Sequence, residues 1–387
     1  MWYFLSPKIA FGEDSIEELA QLQGKKAFLV TDAVIHQLGY PDLVRQQLDE
    51  AGISMAIFDA VEPDPSLATV RECAAAITAY EPDWVIGLGG GSCLDAAKAA
   101  WFLYERPDIE LDAINPFETF GLRNKAHFAT IPTTSGTGAD VSWGFALHDP
   151  VNQSKLVRVS RELIPDLAII DPVFVMGLPK TVTADAGMDV LAHAVEAYTN
   201  LWHNDFTDAF AIKAIELVFR YLRAAVTDGS DVEAREHMHN AASLAGLAFS
   251  NTAIIIAHSL AHAVGARFHT HHGRTVGMFL PYTIEYNAKA TPERFNEIAQ
   301  YLNLSLLDSA TSVQSLVMLI RDLAREIDQP LSLAELGIPW EEFEIALPGL
   351  TENALNSVEL LANPRQTTPD ELDSLFRYAY YGKSIDF

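Results

Sequence analysis

Cysteine is almost missing from this chain. Cys73 and Cys93 are the only two in 387 residues, and no Cys-x-x-Cys pair occurs. A disulfide framework is excluded, and a reducing, cytoplasmic setting is the expectation. Basic residues are also scarce: 26 Lys and Arg stand against 52 Asp and Glu, a formal charge of −26. Such a field argues against nucleic acid or an anionic membrane as partner. It leaves room for an anionic cofactor held by a local lysine and backbone amides. No apolar run is long enough to span a bilayer, because His, Asp or Gly interrupts the longest ones. The first residues, Met1 to Pro7, lack the basic and apolar regions of a secretory leader. Internal repeats and low-complexity stretches are absent too. What remains is a chain that is 49% hydrophobic and long enough for two domains.

The first half alternates short apolar runs with helical stretches. Strands are expected at residues 27–31, 55–58, 84–88, 128–131, 143–147, 156–159 and 167–170, and helices at 43–51, 66–80 and 92–103. That alternation implies a parallel sheet with helices on both faces. After Thr181 the strand signals fade. Helical periodicity then runs through 184–199, 205–225, 231–251, 252–268 and onward to Tyr380. The expected boundary lies near Pro179, giving an α/β domain over 1–179 and an all-helical domain over 180–387.

Histidine is concentrated in the helical half. Asp189 and His193 are four apart, His258 and His262 are four apart, and His271-His272-Gly273 follows. Residues four apart share a helix face, so each pair can aim two side chains at one point. A lone pair of this kind is more often a surface interaction. Here the flanking segments are apolar, and a buried charge needs a partner or a metal. Asp189, His193, His258 and His272 together make a set of three imidazoles and one carboxylate. It suits iron(II), zinc or a neighbour in that row, and suits calcium or magnesium poorly.

Two loops in the α/β half carry a second chemistry. Gly89-Gly90-Gly91-Ser92 follows a strand and opens a helix. Amides at a helix start attract phosphate oxygens, and glycine lets a pyrophosphate approach closely. The full Gly-x-Gly-x-x-Gly fingerprint is not met, so a plain tight turn remains an equal alternative. Pro132-Thr133-Thr134-Ser135-Gly136-Thr137-Gly138 supplies further hydroxyls after another strand. Asp32 ends the first strand. It can cap the next helix, or bond an adenosine ribose and repel a 2′-phosphate, which favours NAD over NADP. Lys155 is a candidate cofactor contact, and Lys98 can pair with Asp95.

Taken together, these motifs resemble the iron-dependent (group III) alcohol dehydrogenases over nearly the whole chain. The matching residues are Gly89 to Ser92 with Asp95 and Lys98, and Pro132 to Gly138. Ile164 to Pro172, Gly187 to Tyr198, His258 to Gly265, His272-Gly273 and Asn363-Pro364-Arg365 complete the set. The resemblance implies the iron-containing alcohol dehydrogenase (dehydroquinate synthase-like) fold, with the active site in the cleft between two domains. It implies Fe2+, or Zn2+ or another divalent ion, on Asp189, His193, His258 and His272. His262 becomes a non-ligand that relays a proton or touches substrate. Contacts to NAD, rather than NADP, fall on Asp32, Gly89, Gly90, Gly91, Ser92, Asp95, Thr133, Thr134, Thr137 and Lys155. A small alcohol or aldehyde is the implied substrate, and a homo-oligomer, most simply a dimer, the implied assembly. Trp143, Phe249 and His262 are candidate pocket residues.

Some positions depart from the family pattern. Asp64 stands where the Pro-Asn-Pro turn has Asn, Ala139-Asp140 replaces Ser-Glu, residues 141–145 are atypical, and His271 replaces Pro before the last ligand. Two other readings use the same residues. A glycerol- or polyol-type dehydrogenase of this fold would hold zinc with fewer His and Asp ligands. A noncatalytic nucleotide- or metal-binding regulator would show a degraded ligand set, and none is visible.

Overall fold

The computed structural model describes residues 3–149, 154–304 and 309–387. The chain divides into two compact units, Met1–Gly177 and Leu178–Phe387.

The first unit contains β1 (Lys8–Phe11), β2 (Lys26–Val30), α1 (Ala33–Gln37), α2 (Tyr40–Glu50), β3 (Ser54–Phe58), α3 (Leu67–Tyr80), β4 (Trp84–Gly89) and α4 (Gly91–Glu105). β5 (His127–Pro132), β6 (Gly144–Asp149), β7 (Ser154–Val159) and β8 (Leu167–Ile170) follow. Six strands form one sheet in the order β1-β8-β5-β4-β2-β3, and every neighbouring pair is parallel. Alternate residues feed two cores. Phe28, Val30, Val85 and Phe128 pack with α3 and α4. Leu29, Ile86, Leu88, Ala129 and Ile131 pack with α2 and the 3-10 turn Ser15–Gln21. Both faces are covered, which is why β4 is buried at every position.

Two expectations change here. The strands expected at 143–147 and 156–159 do not join the parallel sheet. They are β6 and β7, paired antiparallel as a sheet of their own. The connection between them is far shorter than the roughly dozen residues a parallel crossover needs. Phe145, Leu147 and Leu156 seat this hairpin in the α4-side core. Conversely, β1 left no sequence signal. It is a four-residue edge strand whose partner, β8, lies about 160 positions away.

The strand order places a switch point beside β4. The chain runs from β2 outward to β3, then returns across to β4 and β5. In parallel sheets the crevice at such a point, beyond the carboxyl ends of the strands, is where ligands bind.

The second unit is helical throughout its described residues: α5 (Lys180–Thr199), α6 (Asp205–Thr227), α7 (Val232–Ser250), α8 (Ile256–Phe268), α9 (His272–Asn287), α10 (Pro292–Tyr301), α11 (Ser309–Glu326), α12 (Trp340–Leu355) and α13 (Pro369–Tyr381). α5 is the axle. It packs against α6, α7 and α9, and all its residues from Thr183 to Thr199 are buried. A helix buried on all sides is normally apolar. α5 instead carries Asp185, Asp189, His193 and Glu196 along its length, so each needs a partner.

Candidate functional site

Two places collect the residues singled out above, one in each unit. In the first unit Asp32, the glycine loop and the threonine loop lie at the carboxyl ends of β2, β4 and β5. Asp32 caps α1: its Oδ1 accepts from the backbone N–H of Val34 at 2.8 Å and of Ile35 at 2.9 Å. Its Oδ2 faces the glycine loop and accepts from Cys93 Sγ at 3.2 Å. Gly89 has φ +150, and a Cβ there would sit 2.6 Å from Cys93 Sγ. Only glycine fits.

The two loops touch. Thr133 N–H donates to the Gly89 carbonyl at 3.0 Å. A Cβ on Gly90 would come within 3.3 Å of Thr134, and one on Gly91 within 2.9 Å of Thr137. Hydroxyls therefore border the amides that open α4, a setting for phosphate oxygens.

Asp95 and Lys98 are turned inward. Asp95 accepts from Ala146 N–H at 2.9 Å. Lys98 donates to the carbonyls of Ala139, Ser142 and Gly144 at 3.1, 2.7 and 2.9 Å. Burial drives the Lys98 pKa down to about 8, against the pull of Asp95 and Asp140. Burial drives Asp95 up to about 6 despite Lys98. These two side chains tie α4 to the β6–β7 hairpin. Lys155, on β7, pairs with Asp64 at 3.3 Å.

In the second unit one ligand atom each from Asp189, His258 and His272 lies within 4.8 Å of the others. Asp189 Oδ1 is 3.6 Å from Nε2 of both His258 and His272. His193 adjoins them, with Nδ1 3.9 Å from the same oxygen. Its ring stacks between His258 and Phe249, at centroid distances of 4.4 and 4.5 Å. His272 reaches the cluster because Gly273 lets α9 meet α5. A Cβ on Gly273 would lie 2.4 Å from the Asp185 carbonyl oxygen. His271 faces away, 3.1 Å from Asp185 Oδ2.

Asp189 Oδ1 and His258 Nε2 are buried and make no hydrogen bond. Leaving such atoms unsatisfied costs about 1–3 kcal/mol each. They lie 3.6 Å apart, and a cation shared between them satisfies both. Burial pushes the Asp189 carboxyl up, but His193, His272 and His258 outweigh it and hold it well below the usual carboxylate range. Imidazoles beside a carboxylate fit Fe2+ or Zn2+.

The comparisons with known proteins identify the family. Residues 6–172 match the sequence model of the iron-containing alcohol dehydrogenases, and 183–380 match the C-terminal model of the same family. The chain belongs to the iron-containing alcohol dehydrogenase family. It is 40% identical over 389 residues to an NADPH-dependent butanol dehydrogenase of Clostridium saccharobutylicum, covering 100% of both proteins. It is 37% identical over 407 residues to an aldehyde-alcohol dehydrogenase of Streptococcus pneumoniae, spanning 98% of this chain but 46% of that protein. The crystal structure of a 1,3-propanediol oxidoreductase superposes with a TM-score of 0.90 at 34% identity, covering 98% of this chain and 100% of that one. The expected fold is thereby established, and the family makes the chain an oxidoreductase. No helix among the described residues is long and apolar enough to cross a membrane.

Two carboxylates beside these histidines escaped the sequence reading. Glu196 accepts from the N–H groups of Ala257 and Ile255 at 2.6 and 3.0 Å, and from His258 Nδ1 at 2.5 Å. It thereby satisfies backbone N–H groups at the start of α8, which begins at Ile256 rather than at 252. It also fixes the imidazole whose other nitrogen faces Asp189. Burial pulls the His258 pKa down, yet Glu196 and Asp189 prevail and push it up to about 10. The available clue was the spacing 185, 189, 193, 196 on an otherwise apolar helix. Glu359, in the 3-10 turn Val358–Ala362, lies 3.1 Å from His262 Nδ1. Burial pushes the Glu359 carboxyl up, but His262 prevails and lowers it. His262 stacks on His272 at 5.2 Å. Nothing in the sequence linked positions 262 and 359.

Proposed function

We propose that this chain is a divalent-metal-dependent dehydrogenase that passes hydride between NAD and a short primary alcohol, with the aldehyde as the oxidised partner. The observation that carries the reading is the pair of buried, unbonded atoms, Asp189 Oδ1 and His258 Nε2, in the half of the chain that matches the family's C-terminal model.

In this reading residues 180–387 bind metal and substrate, with Asp189, His193, His258 and His272 as ligands. The cation would be Fe2+, with Zn2+ as the alternative. When bound, it supplies positive charge that favours the deprotonated alcohol and polarises the carbonyl in reverse. Glu196 orients His258, and such outer carboxylates sustain metal affinity. His262 takes the hydroxyl proton, with Glu359 on Nδ1 keeping Nε2 as the exchanging nitrogen.

Residues 1–179 bind the dinucleotide. The amides of Gly90, Gly91 and Ser92, with Thr133, Thr134 and Thr137, hold its pyrophosphate. Asp32 Oδ2 accepts a ribose hydroxyl and disfavours a 2′-phosphate. Asp95 acts through the hairpin it bonds. The butanol, propanediol and propanol enzymes among the relatives support a short alcohol. The test is reduced-cofactor absorbance with butanol, propanol, 1,3-propanediol and glycerol, using NAD or NADP, after anaerobic reloading with Fe2+ or Zn2+. Turnover of butanol with NAD is expected. Preference for NADP, as the name of the butanol enzyme suggests for that relative, would overturn the role given to Asp32, and glycerol as best substrate the alcohol class.

A further inference from the structure

The turn Pro63-Asp64-Pro65 is tied to two neighbouring segments. Asp64 has φ 57, a left-handed conformation uncommon for a residue with a side chain. Its N–H donates to Ser92 Oγ at 3.2 Å. The Pro65 carbonyl accepts from His148 N–H at 2.8 Å. The turn thus clasps the glycine loop on one side and β6 on the other. Its carboxylate points at two bases: Lys155 Nζ at 3.3 Å and His148 Nδ1 at 3.7 Å.

Lys98 is bonded to three carbonyls and turned inward. Lys155 is partly exposed; its ion pair among the described residues is with Asp64, and its charge also acts on Asp95. A dinucleotide brings a negatively charged pyrophosphate into a chain of net charge −26. Lys155 then has two anions to choose between.

We infer that Asp64 is a built-in competitor for Lys155, which weakens the hold of the crevice on the dinucleotide and speeds its exchange. The inference rests on the reading of this crevice as the cofactor site. With cofactor absent, the lysine sits on Asp64. With cofactor present, it is shared between Asp64 and the pyrophosphate, and Asp64 recovers it on release. The pair is half exposed, so it is weak enough to open. Asparagine at position 64 removes the charge and keeps the turn, since Asn also tolerates left-handed φ.

The test is a double-mutant cycle on NADH binding, read by nucleotide fluorescence, with wild type, Asp64→Asn, Lys155→Ala and the double variant. Asp64→Asn should tighten NADH about threefold to fivefold at low salt, slow its release, and lose this advantage as ionic strength rises. Lys155→Ala should weaken binding, and Asp64→Asn should add nothing in that background. Unchanged or weaker binding by Asp64→Asn overturns the inference. Equal tightening with and without Lys155 also overturns it, because plain charge repulsion would then explain the effect. Tight NADH binding that ignores these variants but falls with Gly91→Val leaves the crevice reading standing and removes only the competitor. Failure of NADH to bind at all removes both.

Discussion

The crevice of the first unit and the histidine cluster of the second solve opposite problems. In the proposed reading the crevice admits a large anion, and its chemistry rests on backbone amides and on the absence of side chains at Gly89, Gly90 and Gly91. The cluster must keep charge ready inside a packed core. It does so with side chains held by further side chains, Glu196 behind His258 and Glu359 behind His262. A loop made of backbone is written in a contiguous run of sequence. A site made of buried ions is spread over α5, α8, α9 and a 3-10 turn, and each support lies far in sequence from the imidazole it holds.

That contrast predicts different failures on mutation. Asp189→Ala should give the largest loss, removing bound metal and lowering turnover at least about a hundredfold. Metal content by mass spectrometry and assays of the same sample check both, and retained metal would end the assignment. His262→Ala should lower turnover by about a hundredfold with metal content unchanged. If metal leaves too, His262 is a ligand. Glu196→Gln should weaken metal affinity about tenfold to a hundredfold, although it touches no predicted ligand atom facing the cation.

Lys98→Met probes the first unit differently. It leaves three carbonyls and two buried carboxylates without their cation, and should cost about 3–5 kcal/mol in denaturant unfolding. A sign follows from its pKa of about 8, down from 10.5. Between those values the folded state binds fewer protons than the unfolded chain, so wild-type stability should rise with pH across that window. Lys98→Met should lose that rise. The smallest effect belongs to Asp32→Asn. It should leave stability within about 1 kcal/mol, since Asn caps helices as well as Asp, while shifting cofactor preference toward NADP in paired kinetic assays.

The same contrast explains what the sequence disclosed. The glycine and threonine loops, and the four residues Asp189, His193, His258 and His272, stood out because each motif is local or repeats at helical spacing. β1 did not, because the strand it pairs with lies far along the chain. The β6–β7 pairing did not, because apolar alternation marks strands without naming partners. Lys155 was legible as a cation near the crevice, but its pairing with Asp64 was not. Glu196 and Glu359 were ordinary acids until folding set them against His258 and His262.

In the proposed reading the cluster around Asp189 holds one divalent cation. Calorimetric titration of metal-free protein with Fe2+ under nitrogen, wild type beside Asp189→Ala, tests it most directly. A single tight site per chain is expected in the wild type and none in the folded variant. Equal binding by both proteins, or none by either, would contradict it.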